Sequence, residues 1–203
     1  LFTEYNIILI LAVILLYGFF GVPYFSGPNN LIKLASDLSM YGIVAIGMTF
    51  LLISGEIDLS LGMSVALSTI VSSLVGSQFG GVAGIIAAIV VCGLIGLFNG
   101  FLVTRFRMSS LIASIATMTA LSGVCFLLGD GQTVPNNSEL LRALYTYKLF
   151  GVRFLQLPIV LFVLCLVGFG LLLHNTRFGN GIFVVGGNEE AGYTAGINIG
   201  RTK

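Results

Sequence analysis

Charge is scarce in this sequence. Nine lysines and arginines and eight aspartates and glutamates make up 8% of 203 residues, against roughly 25% in a soluble domain. That supply cannot coat a water-facing surface, so a soluble globular protein is excluded. Disorder is excluded as well, because 57% of the residues are apolar. A formal net charge of +1 leaves no basic footprint for nucleic acid. Histidine is nearly absent. The single one, His174, stands beside Asn175 and Arg177 at the end of an apolar run and has no partner for a catalytic triad. HExxH, GxSxG and a strand-linked GxGxxG are missing. The three cysteines, Cys92, Cys125 and Cys165, each sit in an apolar run without CxxC or Cys/His spacing. That pattern excludes a disulfide scaffold and reads as small buried thiols. No catalytic residue, metal ligand or cofactor site is expected.

What the sequence does hold is long apolar runs, with a mean hydropathy of +1.06. A helix crossing a bilayer needs about 20 apolar residues. Six runs approach that length: Tyr5 to Phe25, Leu31 to Ser54, Met63 to Ser77, Val82 to Thr104, Leu111 to Leu128 and Leu157 to Leu173. The expected fold class is therefore an all-α membrane protein, a polytopic transmembrane helix bundle of six spans. Residues 1–203 read as a single transmembrane domain, incomplete because the chain opens on Leu1 and closes on Arg201-Thr202-Lys203. Gln78 to Gly81 reads as a tight turn, and residues 129–156 as the one long polar connection. Six crossings place Arg105, Arg107, Arg177, Arg201 and Lys203 on one side, and Lys33, Arg142, Lys148 and Arg153 on the other. The excess is slight and leans towards both ends lying inside, with 129–156 outside.

Small residues mark faces that pack helix against helix. Ser64, Ser68, Ser72 and Gly76 recur every fourth residue in the third run. Gly96 and Gly100 form GxxxG in the fourth, with Gly84 and Ala88 at the same spacing higher up. Asn99, on the Gly96–Gly100 face, is expected to bond across helices. The stretch Gly55-Glu56-Ile57-Asp58-Leu59-Ser60-Leu61-Gly62 sets two acids between helix-breaking glycines. Asp58 suits the N-cap of a helix starting at Leu59, and the turn itself is either mechanical or part of a solute path. Residues 175–203 hold a further short helix. Gly186 and Gly187 release the chain from the last span, and Asn188 caps. Glu189 and Glu190 suit the positive first turn, Ala191 and Ala195 form a small flat face, and Gly196 stops the helix before Ile197. Such a knob suits a soluble partner.

Three motifs together resemble the permease subunits of bacterial ABC importers for monosaccharides of the ribose, xylose and galactose type. They are Ser54-Gly55-Glu56-Ile57-Asp58-Leu59-Ser60-Leu61-Gly62, Gly93-Leu94-Ile95-Gly96-Leu97-Phe98-Asn99-Gly100, and Thr176-Arg177-Phe178-Gly179 followed by Val185-Gly186-Gly187-Asn188-Glu189-Glu190-Ala191 and Ala195-Gly196-Ile197. Glu56 stands where the family usually has glycine. The resemblance implies a multi-pass protein of the bacterial inner membrane that does no chemistry itself. It implies two cytoplasmic ABC ATPase subunits, a second permease copy in a dimer and a periplasmic sugar-binding protein, all around a monosaccharide path. It makes 129–156 periplasmic and 175–203 a cytoplasmic coupling segment. The alternative is a secondary transporter or channel without an ATPase partner. That reading calls for acids buried in mid-span, and spans one, four, five and six hold none.

Overall fold

The computed structural model describes residues 6–135, 138–152 and 154–202. Among these residues the chain is helical, and the only β-pairing is an isolated bridge between Lys148 and Gln156. The ten helices are α1 (Asn6–Gly21), α2 (Pro28–Ile53), α3 (Leu61–Phe79), α4 (Gly81–Phe106), α5 (Ser110–Leu128), α6 (Glu139–Thr146), α7 (Leu157–Asn175), α8 (Arg177–Gly187), α9 (Glu189–Thr194) and α10 (Ile199–Thr202). In lipid no water is available to satisfy backbone N–H and C=O groups, so an apolar segment must bond to itself as a helix.

Among the described residues five helices are long and apolar enough to cross: α2 and α4 with 26 residues each, and α3, α5 and α7 with 19 each. At 1.5 Å per residue, 19 residues reach about 28 Å, close to the roughly 30 Å hydrocarbon core. The first expected span is shorter than its apolar run. Tyr5 lies outside the described residues and α1 has 16 residues, about 24 Å. It ends where the Phe25 ring folds back over Gly18 and meets Phe19 edge-on at 5.4 Å between centroids. Most large side chains of α1, α4 and α7 point outward, facing lipid or other helices. The chain is a multi-pass helical membrane protein.

The connections bring like ends together. The starts of α2 and α7, the α3–α4 turn and α6 lie at one end, where Tyr145 of α6 reaches Asp37 of α2 and Ser36 donates to Gln156. The ends of α2, α4 and α7 and the starts of α3 and α5 lie at the other, hereafter the Arg107 end. The α3–α4 turn is tighter than expected, since helix continues through Phe79 and only Gly80 intervenes, at φ 91°. Residues 129–156 are not plain loop either. Ser138 caps α6 by accepting from the Leu141 N–H, and a 3₁₀ turn follows at Leu149–Gly151.

Two seams hold the bundle. Along the first, Ser64, Ser68, Ser72 and Gly76 of α3 are all buried against α4. Gly84 lies so close to the Ser72 carbonyl and Gly76 that a side chain there would strike backbone. Along the second, the Phe162 ring of α7 fills the space over Gly42 of α2, and Phe50 meets Phe169 edge-on at 5.7 Å. The cysteines depart from expectation: Cys92 is exposed, and Cys125 and Cys165 are half-buried. Cys92 nonetheless turns its sulfur to the first seam, 3.0 Å from Ser68 Oγ of α3.

Candidate functional site

The Arg107 end gathers two of the three sequence motifs into one polar cluster. α2 ends at Ile53. Ser54 N–H bonds the Phe50 carbonyl at 3.0 Å, Gly55 N–H the Leu52 carbonyl at 3.1 Å, and Glu56 N–H the Leu51 carbonyl at 2.9 Å. Gly55 takes φ 82°, a conformation in which a Cβ is strained. Asp58 does not cap a helix at Leu59. α3 begins two residues later with Ser60 as its N-cap, and Ser60 makes no side-chain cap bond. Instead Asp58 Oδ1 accepts from the Ser60 N–H at 2.7 Å and from Ser60 Oγ at 2.6 Å, an Asx turn set before the helix.

Asn99, on α4, ties this turn to two helices. Its Nδ2 donates to Ser60 Oγ at 2.8 Å and to Asp58 Oδ2 at 3.3 Å, and its Oδ1 accepts from Thr117 Oγ1 of α5 at 2.6 Å. The expected bond across helices is therefore made, in both directions. Two serines of α5 hold the turn's backbone: Ile57 N–H donates to Ser110 Oγ at 3.2 Å, and Ser114 Oγ lies 3.5 Å from the Ile57 carbonyl. Ser60, Asn99, Ser114 and Thr117 are all buried. Among the described residues no buried side-chain nitrogen or oxygen lacks a partner, so this network is closed on itself. Sequence reasoning missed Thr117, Ser114 and Ser110. Their spacing, Ser110, Ser114, Thr117, is a helical polar face inside an apolar run and was there to be read.

Beside the network lies a cavity of about 210 Å³, lined by Glu56, Ile57, Asp58, Asn99 and Ser114 together with Leu51, Leu61 and Val103. It shares Glu56, Val103 and Ser110 with a wider cleft at the Arg107 end. Gly96 and Gly100 edge the cavity, yet a Cβ on either, or on Gly93, meets open space. Among the described residues no atom packs over these three glycines, whereas Gly84 is locked to α3. Gly62, in the first turn of α3, is equally open.

The third motif departs from its expected path. Gly186 and Gly187 do not release the chain from the last span. α7 ends at Asn175, and Thr176 starts a separate helix, α8, by accepting from the Gly179 N–H at 3.1 Å. Gly186 is a packing contact: a Cβ on it would collide with the Ile53 carbonyl at the end of α2. Gly187 is open. Asn188 then caps α9, its Oδ1 accepting from the N–H groups of Glu190 at 2.9 Å and Ala191 at 3.2 Å. Ala195 follows the helix, and Gly196, at φ 75°, ends it with Ile197 N–H bonded to the Gly192 carbonyl at 3.0 Å. Glu190, Ala191, Tyr193, Thr194 and Ala195 are exposed. The Glu189 side chain lies outside the described residues. Among the described residues no three His, Cys, Asp or Glu side chains converge as metal ligands would.

Residues 30–203 match the family described as branched-chain amino acid transport system / permease component. Over its whole length the chain is 37% identical to the L-arabinose transport system permease protein AraH of Escherichia coli, covering 61% of that protein. It is 33% identical to the L-arabinose ABC transporter permease protein AraH of Azospirillum brasilense, again over the whole chain and 59% of the relative. Over 89% of its length it is 34% identical to the ribose import permease protein RbsC of Bacillus subtilis, covering 56% of it. The chain thus spans about three-fifths of the length of these relatives. No solved structure matches it.

Proposed function

The chain belongs to this family of transport-system permease components, and on that premise we propose that it is the membrane-spanning subunit of an ATP-driven importer for a monosaccharide or similar small polar solute. The observation that carries the reading is identity along the whole chain to permeases named for L-arabinose, joined by one named for ribose. The subunit hydrolyses no ATP itself. Cytoplasmic ABC ATPase subunits do so, a periplasmic binding protein delivers the solute, and a second permease copy completes the path in the bacterial inner membrane.

In this reading the Arg107 end faces the cytoplasm, and residues 129–156 face the periplasm. The basic residues Arg105, Arg107 and Arg177 then lie inside. The coupling segment is α8 and α9. α9 is short, capped at both ends and exposed over Ala191 and its neighbours, so it offers a compact knob to a groove on the ATPase. The Asp58 turn serves mechanics rather than solute contact, because Asp58 is taken up by Ser60 and Asn99 and the exposed wall of its cavity is mostly apolar.

Uptake of labelled pentose by membranes holding the full-length protein and its partner subunits tests the class, and uptake of leucine in its place overturns the solute. Ala191→Trp on the knob should abolish uptake, or prevent the ATPase from co-purifying, while insertion stays normal. Wild-type uptake and ATPase association in that variant would mean that the coupling contact lies elsewhere. Thiol labelling in intact cells fixes orientation: Ser138→Cys reacts with an impermeant reagent and Asn180→Cys does not.

A further inference from the structure

Contacts join the three motifs in series, and residues outside the motifs, Ile53, Thr117, Ser110 and Ser114, extend the line at both sides. At one side of the turn at residues 53–60, α8 bears on α2 backbone to backbone. Gly186 lies against the Ile53 carbonyl with no room for a methyl group, and Gly55 lies close to the Gly186 carbonyl. No side chain stands between them to absorb a displacement by changing rotamer. Within the turn, three consecutive N–H groups, those of Ser54, Gly55 and Glu56, are bonded back to the last turn of α2, so the segment moves as one piece. At its other side, Asp58 and Ser60 are bonded to Asn99, and Asn99 to Thr117. Ile57 is held by Ser110 and Ser114.

We propose that Asp58, Ser60, Asn99 and Thr117 form a polar bolt that passes displacement of α8, received through the Gly186–Ile53 contact, to α4 and α5, with Thr117, Ser110 and Ser114 acting as positioning residues. The proposal rests on the reading above for the source of the displacement, a soluble partner moving α9. Two features make the bolt stiff. Its hydrogen bonds have one consistent polarity, from the Thr117 hydroxyl to the Asn99 carbonyl, and from the Asn99 amide to the Ser60 hydroxyl and the Asp58 carboxylate. Each donor is also buried among apolar side chains, where breaking its bond leaves it without a substitute acceptor. A push that enters at Gly186 is therefore met with movement of α4 and α5 rather than with rupture of the turn.

Spatial continuity alone does not establish coupling, so the test measures non-additivity. The reporter is Val103→Cys, which lines the cavity but takes no part in the bolt, placed in full-length protein in membranes with the native cysteines replaced by serine. Its reaction rate with a maleimide is read in four proteins: the reporter alone, with Thr117→Val, with Gly186→Ala, and with both. Thr117→Val should raise the rate several-fold, and Thr117→Ser, which keeps the hydroxyl, should restore it. The double variant should fall short of the product of the single effects by at least about threefold, the mark of a shared element. Gly55→Ala replaces Gly186→Ala if the latter does not fold. An unchanged rate in Thr117→Val, or effects that multiply, overturns the bolt.

A second arm adds the ATPase and binding protein and reads solute moved per ATP hydrolysed. Thr117→Val should lower that ratio at unchanged half-saturating solute, and a ratio equal to wild type counts against the bolt. If the wild type itself shows neither uptake nor stimulated hydrolysis, the importer reading fails, while the labelling cycle still decides whether α8 and α5 are linked.

Discussion

α2 carries an aspartate near its first turns and is followed by another just past its last, and the two are held in different ways. Asp37 meets one exposed partner, the Tyr145 hydroxyl of α6, at 3.4 Å. Asp58 accepts from a backbone N–H, a serine hydroxyl and an asparagine amide, among neighbours that are themselves buried and bonded. Both carboxylates are half-buried, so what separates them is the number of their partners and the burial of those partners. Asp58 draws its donors from Ser60, two residues on, and from Asn99 on α4, 41 residues further along the chain.

The largest effect expected from this contrast is in stability. Asp58→Ala leaves the Ser60 N–H and part of the Asn99 amide without acceptors in an apolar setting, at about 1–3 kcal/mol. Asp37→Ala, which frees only the exposed Tyr145 hydroxyl, should stay within about 0.5 kcal/mol. Thermal unfolding of the full-length protein in detergent compares the two directly. Equal losses would mean that the buried partners of Asp58 do not separate the ends.

A finer comparison holds burial constant. Ser36 and Thr117 are both buried hydroxyls bonding across helices, one at each end. Thr117→Val strands the Asn99 carbonyl inside a closed network and should approach the upper range for such bonds in membranes, about 1.7 kcal/mol. Ser36→Ala leaves only the half-buried Gln156, which water can reach, and should cost no more than the typical ~0.6 kcal/mol. The same unfolding assay resolves the order. A reversal would assign the stiffness to the Tyr145 end.

What could be read in advance follows the same division between local and long-range. Helices in apolar runs, the Asn188 cap and the Gly196 stop are local, and each follows from residues within a few positions of one another. The joining of Asp58 to Asn99 and Thr117 links positions 41 and 59 residues further along the chain, and nothing in a single sequence names the partner. Gly84 and Gly96 make the point on one helix. Both begin a small-xxx-small pattern, but only Gly84 faces a matching stripe, so the pattern marks a capacity for close packing and leaves the partner unspecified. Gly186 failed differently. Paired glycines read as a release from helix, because the carbonyl that needs the space lies on α2, more than a hundred residues away.

The smallest effect is a titration at the Tyr145 end. Partial burial and, after it, the Asp37 carboxylate with its hydrogen bond raise the Tyr145 phenol above its ordinary value of 10.0. A raised phenol pKa favours the neutral form in the folded state. The contact therefore contributes fully at pH below the ordinary value and is lost as pH rises through the raised one. Difference absorbance of phenolate between wild type and Tyr145→Phe isolates this one ring from the other six tyrosines. Its midpoint should lie above 10, and Asp37→Asn should bring it down only part of the way, because the burial that contributes most to the shift is untouched. Full return to the ordinary value would make the carboxylate the main cause. A midpoint at the ordinary value in the wild type would mean that α6 does not rest on α2 at all, and that the Tyr145 end is looser than a single bond at 3.4 Å implies.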